Sequence, residues 1–194
     1  MKMRLLLVFF LSSLVRVFAG DLIVSAKIVE SGFSSQFKSD VYVVDAEIVN
    51  GTAETIYLVI MDTNYEASWQ VEPKKKWELL WHTASPNYPG KYTLSPNSGL
   101  RFRLLVKSAK PKGVGGITKM KLGFCDYRCL ATTDAIKDVG GGFYENRSSK
   151  PVIWTEEIEL PGVGNNIYPD IIEKTRQRNK APEPVDRVNV SAGK

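Results

Sequence analysis

From Leu22 to Leu160, apolar and polar residues alternate with a period of two, stretch after stretch. Only an extended strand puts successive side chains on opposite faces, so this pattern marks half-buried β-strands and leaves little room for helices. In Val41–Val49, Tyr42, Val44, Ala46 and Ile48 share a face opposite Asp45 and Glu47. In 100–107, Leu100, Phe102, Leu104 and Val106 point one way and Arg101, Arg103 and Lys107 the other. In 117–125, Met120, Leu122 and Phe124 alternate with Lys119, Lys121 and Gly123, and in 76–82 Trp77, Leu79 and Trp81 alternate with Glu78, Leu80 and His82. Leu22–Val29, Ala67–Val71 and Val152–Leu160 read similarly, and 55–61 is apolar on both faces, as in a central strand. About eight strands without a convincing long helix predict an all-β fold, an antiparallel two-sheet sandwich.

The connections have signals of their own. Asn50-Gly51 reads as a hairpin-type turn, and Glu72-Pro73-Lys74-Lys75 as another tight turn. Three loops are longer: Glu30–Asp40, Thr83–Gly99 and Asp126–Pro151. The last contains a candidate short helix at 133–138, stopped by Gly140, and a flexible Gly140-Gly141-Gly142 hinge. These are the first, fifth and seventh connections. If every strand reverses direction, odd-numbered connections emerge together, so the long loops are expected at one end. From Pro161 onward the chain is polar and holds four prolines, at 161, 169, 182 and 184. Ile171–Arg178 can form two helical turns, and from Asn179 disorder is expected.

The N-terminus points to export. Lys2 and Arg4 precede an apolar run from Leu5 to Val15 broken only by Ser12 and Ser13, and Val17-Phe18-Ala19 offers small residues where a signal peptidase reads. The run is about half of the ~20 residues a membrane span needs, and no later segment is long enough. The expected organisation is therefore a signal peptide over 1–19, a β-sandwich over 20–160 and a polar, largely disordered tail over 161–194. Loss of Lys2, Arg4 and Arg16 from the 26 basic residues leaves 23 against 21 acidic ones, a charge of +2. The tail holds six basic and four acidic residues, so the body is formally neutral. A neutral body argues against nucleic acid as a partner, because phosphate binding needs a concentrated basic surface.

Cys125 and Cys129 are the only cysteines, and in an exported protein they read as a disulfide. Four residues along a strand span about 13 Å, whereas a disulfide holds its Cα atoms about 4.4–6.8 Å apart. Asp126-Tyr127-Arg128 must then turn and the strand must end at Cys125, at a gain of about 2 kcal/mol for so small a loop. A redox pair ordinarily has two intervening residues, and a zinc site would want more than the single histidine. That histidine, His82, alternates with Trp81 and is expected to face solvent; nothing in the sequence ties a serine to it. No paired-carboxylate motif, phosphate-cradling loop or metal-ligand cluster is legible, so no cofactor or metal is expected. Trp69, Trp77, Trp81 and Trp154 sit at inward strand positions and read as core. Phe33, Tyr88, Tyr127, Phe143 and Tyr144 fall in the long loops. Such aromatics suit recognition of protein or sugar, or else pack their own loops down. Asn50-Gly51-Thr52, Asn146-Arg147-Ser148 and Asn189-Val190-Ser191 match the glycosylation acceptor pattern, which chance and turn chemistry explain equally well.

The run Tyr92-Thr93-Leu94-Ser95-Pro96-Asn97-Ser98-Gly99-Leu100-Arg101-Phe102 resembles the tyrosine-leucine-proline turn of bacterial secreted immunoglobulin-like or fibronectin type III-like sandwiches. Glu47–Thr52 followed by Ile56-Tyr57-Leu58 is similar to their second and third strands, and the resemblance spans Asp21–Leu160. No cysteine pair is spaced to join two sheets, which departs from true immunoglobulin domains and points to a bacterial periplasm. The resemblance implies an architecture and no particular activity. The expected protein is an exported, non-enzymatic binder of another protein through its long-loop end. Carbohydrate binding is the alternative, and a hydrolase using His82 comes third.

Overall fold

The computed structural model of the protein describes residues 22–61, 64–80, 89–109, 119–128, 151–163 and 182–186. The described chain is all-β, built from several antiparallel sheets that do not close into a barrel. The first sheet runs β1 (Leu22–Ser34), β2 (Ser39–Asn50), β7 (Ser98–Ser108), β11 (Glu183–Asp186), and β5 (Trp77–Leu80) joins β7 on the stretch β11 leaves free. In the second, β8 (Lys119–Cys125) pairs with β4 (Trp69–Glu72) and, elsewhere, with β9 (Val152–Trp154) and β10 (Ile158–Glu159). A third sheet pairs β3 (Ile56–Met61) with β6 (Pro89–Leu94). It meets the second where Val59 donates its N–H to the Tyr127 carbonyl at 3.0 Å and Leu58 bridges Arg128.

The two central strands of the first sheet form as their alternation requires. Tyr42, Val44, Ala46 and Ile48 of β2 and Leu100, Phe102, Leu104 and Val106 of β7 all face the core and are buried. Ile56, Leu58, Ile60, Trp69, Val71, Met120, Leu122 and Phe124 of the other sheets meet them there. Trp69 lies at 5.2 Å from Phe102 and 5.3 Å from Phe124 between ring centroids, both edge-on, and Tyr42 meets Trp77 edge-on at 5.7 Å. Such ring pairs add about 0.5–1.5 kcal/mol each beyond the area they bury. The opposite face of β2 and β7 carries matched charges: Arg103 grips Asp45 at 2.8 and 3.2 Å, and Arg101 grips Glu47 at 2.8 and 2.6 Å.

Several expectations are revised. The first connection is not a long loop: β1 and β2 stay paired to Ser34 opposite Ser39, leaving a tight tip in which Lys38 takes a φ of 51°. Thr83–Gly99 contains β6, and its last part is a three-residue turn in which Asn97 takes a φ of 62°. With one of the three long loops shortened and another interrupted by a strand, the parity argument for a single loop-bearing end no longer holds. Asn50-Gly51 is not a hairpin either, since β2 and β3 belong to different sheets. Val152–Leu160 divides into β9 and β10 around Thr155, whose N–H donates to the Leu122 carbonyl at 2.8 Å while its hydroxyl accepts from Leu122 N at 3.1 Å. The tail contributes a strand: Glu183–Asp186 pairs with Arg101–Ser98 of β7 as an added edge. The candidate helix at 133–138, the glycine run at 140–142 and Ile171–Arg178 lie outside the described residues, as do residues 1–21.

Candidate functional site

Of the five residues singled out as a loop surface, only Phe33 and Tyr127 are among the described residues, and neither is an exposed loop side chain. Tyr127 is buried, 3% exposed, and packs with Val59, Met61, Ala67 and Cys125. It is a core residue: past the end of β8 the chain meets β3, where the Tyr127 carbonyl accepts from Val59 N and the ring packs with Val59 and Met61. Phe33 is not in a loop: it sits half-buried in β1 opposite Asp40. Tyr88, Phe143 and Tyr144 lie outside the described residues, as do His82, Trp81 and two of the three acceptor asparagines, Asn146 and Asn189. The third, Asn50, is fully buried and spends its amide N–H groups on the carbonyls of Glu54 (2.7 Å) and Leu94 (2.9 Å), which leaves nothing for a glycan. Trp69 and Trp77 are core as expected, whereas Trp154 is half-buried on the far side of β8, over Gly123. The strand does end at Cys125. Cys125 is buried and its sulfur accepts from Gln70 Nε2 at 3.3 Å, and Cys129, its expected disulfide partner, lies outside the described residues.

A different site emerges at the side of the molecule. β1 ends the first sheet and β10 ends the second, so each has a free strand edge among the described residues. Between them runs an open cleft of about 530 Å³, with Val24–Ile28 as one wall and Thr155–Glu159, closed by Pro161, as the other. Its floor is apolar, because Val24, Ala26, Ile28 and Ile158 are partly buried against the core. Its rims are charged. Glu156, Glu157 and Glu159 are exposed on one wall, and Lys27 is exposed on the other. Lys119 of β8 sits beside the acidic wall, 3.3 Å from Glu157 and 3.7 Å from Glu159. Its hydrogen bond to Glu157, and then the charges of Glu157 and Glu159, raise the Lys119 ammonium above its usual range. Ile23 and Val29 of β1 flank the cleft region as exposed large apolar side chains. A bulge at Val29 shifts the β1–β2 register between Ile28 and Glu30, bounding the regular edge to the segment that lines the cleft.

Sequence reasoning missed these residues. The signal available is the acidic run itself, three carboxylates within Glu156–Glu159, which the alternation places on a strand and nothing more.

No family model and no curated protein matches this chain. Among solved structures, the crystal structure of a FixG-related protein from Vibrio parahaemolyticus is similar over 73% of this chain and 97% of that one, at 8% identity and a TM-score of 0.39. A likeness that slight assigns neither a family nor an activity.

Proposed function

We propose that the protein is an exported immunoglobulin-like β-sandwich that binds another protein and catalyses no reaction. Export is supported by the basic, apolar and small-residue succession over residues 2–19. The sandwich reading is supported by the shared core, in which the inner faces of β2 and β7 pack against β3, β4 and β8. The observation that carries the binding reading is the cleft: two strand edges, open among the described residues, face one groove with an apolar floor and charged rims. Strand edges with unspent backbone donors and acceptors take up peptide chains, and a long exposed edge is a liability that natural proteins cover or use.

The test is affinity capture from the native envelope fraction, with a polysaccharide column run in parallel. A stoichiometric protein retained by the bait supports the reading. Retention on polysaccharide with no protein partner overturns it in favour of carbohydrate binding.

A further inference from the structure

We propose that the occupant of the cleft is an extended segment of the partner protein, alternating basic and small apolar residues, that adds as a strand to the free edge of β1. This rests on the protein-binding reading and names what that site takes.

Three observations converge. The first is the edge. Val24–Ile28 lie consecutively along the cleft, so the backbone of β1 as well as its side chains faces the groove, and among the described residues β1 has a strand partner on its other side only. Five residues of strand extend over roughly 14 Å, enough to pair with a segment of about five residues. The second is the alternation of surroundings. Val24, Ala26 and Ile28 turn toward the core while Ser25 and Lys27 turn away, and Ile158 turns toward the core while Glu159 is exposed. A strand laid between these walls meets apolar surface with one face and charge with the other, and so must itself alternate. The third is charge. Three carboxylates, Glu156, Glu157 and Glu159, face a single Lys27 across the groove. Lys119 engages only Glu157 and Glu159, and Glu156 has no salt-bridge partner among the described residues. The net negative rim fits lysine or arginine on the occupant. A second copy of this chain fits less well, because its own edge brings one lysine and its own acidic wall with it.

The experiment uses the purified protein and a defined probe, the blocked pentapeptide Lys-Val-Lys-Val-Lys, with binding followed by fluorescence anisotropy and by amide exchange of residues 24–28. Binding with slowed exchange at 24–28 is expected. The E156Q/E157Q/E159Q variant should weaken binding about tenfold at low salt and less at high salt, because exposed ion pairs are individually small and screened. K27E should strengthen it severalfold. A probe N-methylated at all five residues should lose binding, because no residue N–H remains to complete a ladder whichever of its edges faces β1. These positions are exposed, so folding of each variant is checked by circular dichroism without expected loss.

Equal binding of the N-methylated probe overturns strand addition. Unchanged affinity in both charge variants overturns the basic occupant. A dimer that protects 24–28 without any probe replaces the partner segment with a second copy and also overturns it. If a captured envelope protein stays bound when the probe saturates the cleft, protein binding stands and this inference alone falls.

Discussion

Asn50 should be among the costliest polar positions to alter. It ends β2 at the point where the chain leaves the first sheet for the third, and it is fully buried. Its Nδ2 donates to the carbonyls of Glu54 and Leu94 at 2.7 and 2.9 Å, and its Oδ1 accepts from Thr52 N and Thr52 Oγ1 at 2.9 and 2.7 Å. Its own carbonyl accepts from Asn97 N at 2.9 Å, so one residue ties the ends of β2, β6 and β7 together. Each such bond is worth about 0.5–1.5 kcal/mol net, and a buried carbonyl left without a donor costs about 1–3 kcal/mol. Asn50→Ala removes all four side-chain bonds and strands the Leu94 carbonyl, so a loss of about 3 kcal/mol is expected. For a chain of this size that corresponds to a fall in Tm of roughly 6–12 °C. Asn50→Asp keeps the shape but turns a carboxyl oxygen toward two carbonyl oxygens, and should cost at least as much as the alanine. Urea unfolding read by tryptophan fluorescence and circular dichroism measures both, with the m-value confirming an unchanged unfolding reaction. A loss below about 1 kcal/mol for Asn50→Ala, or Asn50→Asp more stable than Asn50→Ala, refutes this reasoning.

Other expectations follow from single features. Burial, followed by the charge of Asp40, raises the Tyr42 phenol from its ordinary value of 10.0 to about 12. The folded state holds that proton more tightly, so the contribution is complete below about pH 10 and is lost as pH rises toward about 12. Tyr42→Phe should therefore remove on the order of 2 kcal/mol of the alkaline loss between those limits, seen by comparing urea midpoints at pH 9 and 11.5; an identical decline in both proteins argues against it. Gly123→Ala places a Cβ 2.5 Å from Val152 Cγ1 and 2.7 Å from Trp154 Cε3, and should cost about 1–3 kcal/mol and shift the fluorescence of Trp154. Truncation before Glu183 removes β11 from β7 and should lower Tm by a few degrees, a small step because Glu183 and Pro184 are exposed.

The parts of the fold legible in the sequence are those where burial and pattern coincide. β2 and β7 show in the alternation of Tyr42 to Ile48 and Leu100 to Val106, since those side chains make the core. Trp69 and Trp77 could be assigned for the same reason. The far end of β1, β6 and β11 lie at sheet margins and are built from residues such as Ser31, Gly32, Gly90, Lys91 and Pro184. Such strands are held by backbone hydrogen bonds to a neighbour, which no side-chain periodicity records. Asn50-Gly51 has the composition of a hairpin, yet here the asparagine acts through its buried side chain, a role that depends on Leu94 and Asn97 far along the chain. The cleft was unreadable for a related reason. Its acidic run is visible in the sequence, but its opposition to Val24–Ile28 arises only when two sheets bring their margins together.

The central claim is that contact with a partner occurs at the side of the molecule, along β1 and β10. Hydrogen–deuterium exchange of the protein alone and in complex with its captured partner tests this most directly. Slowed exchange concentrated in peptides covering 22–28 and 155–161 is the predicted result. Protection confined to the 126–151 connection, or to the Arg101 and Arg103 face of β7, with the two cleft walls unchanged, would contradict it.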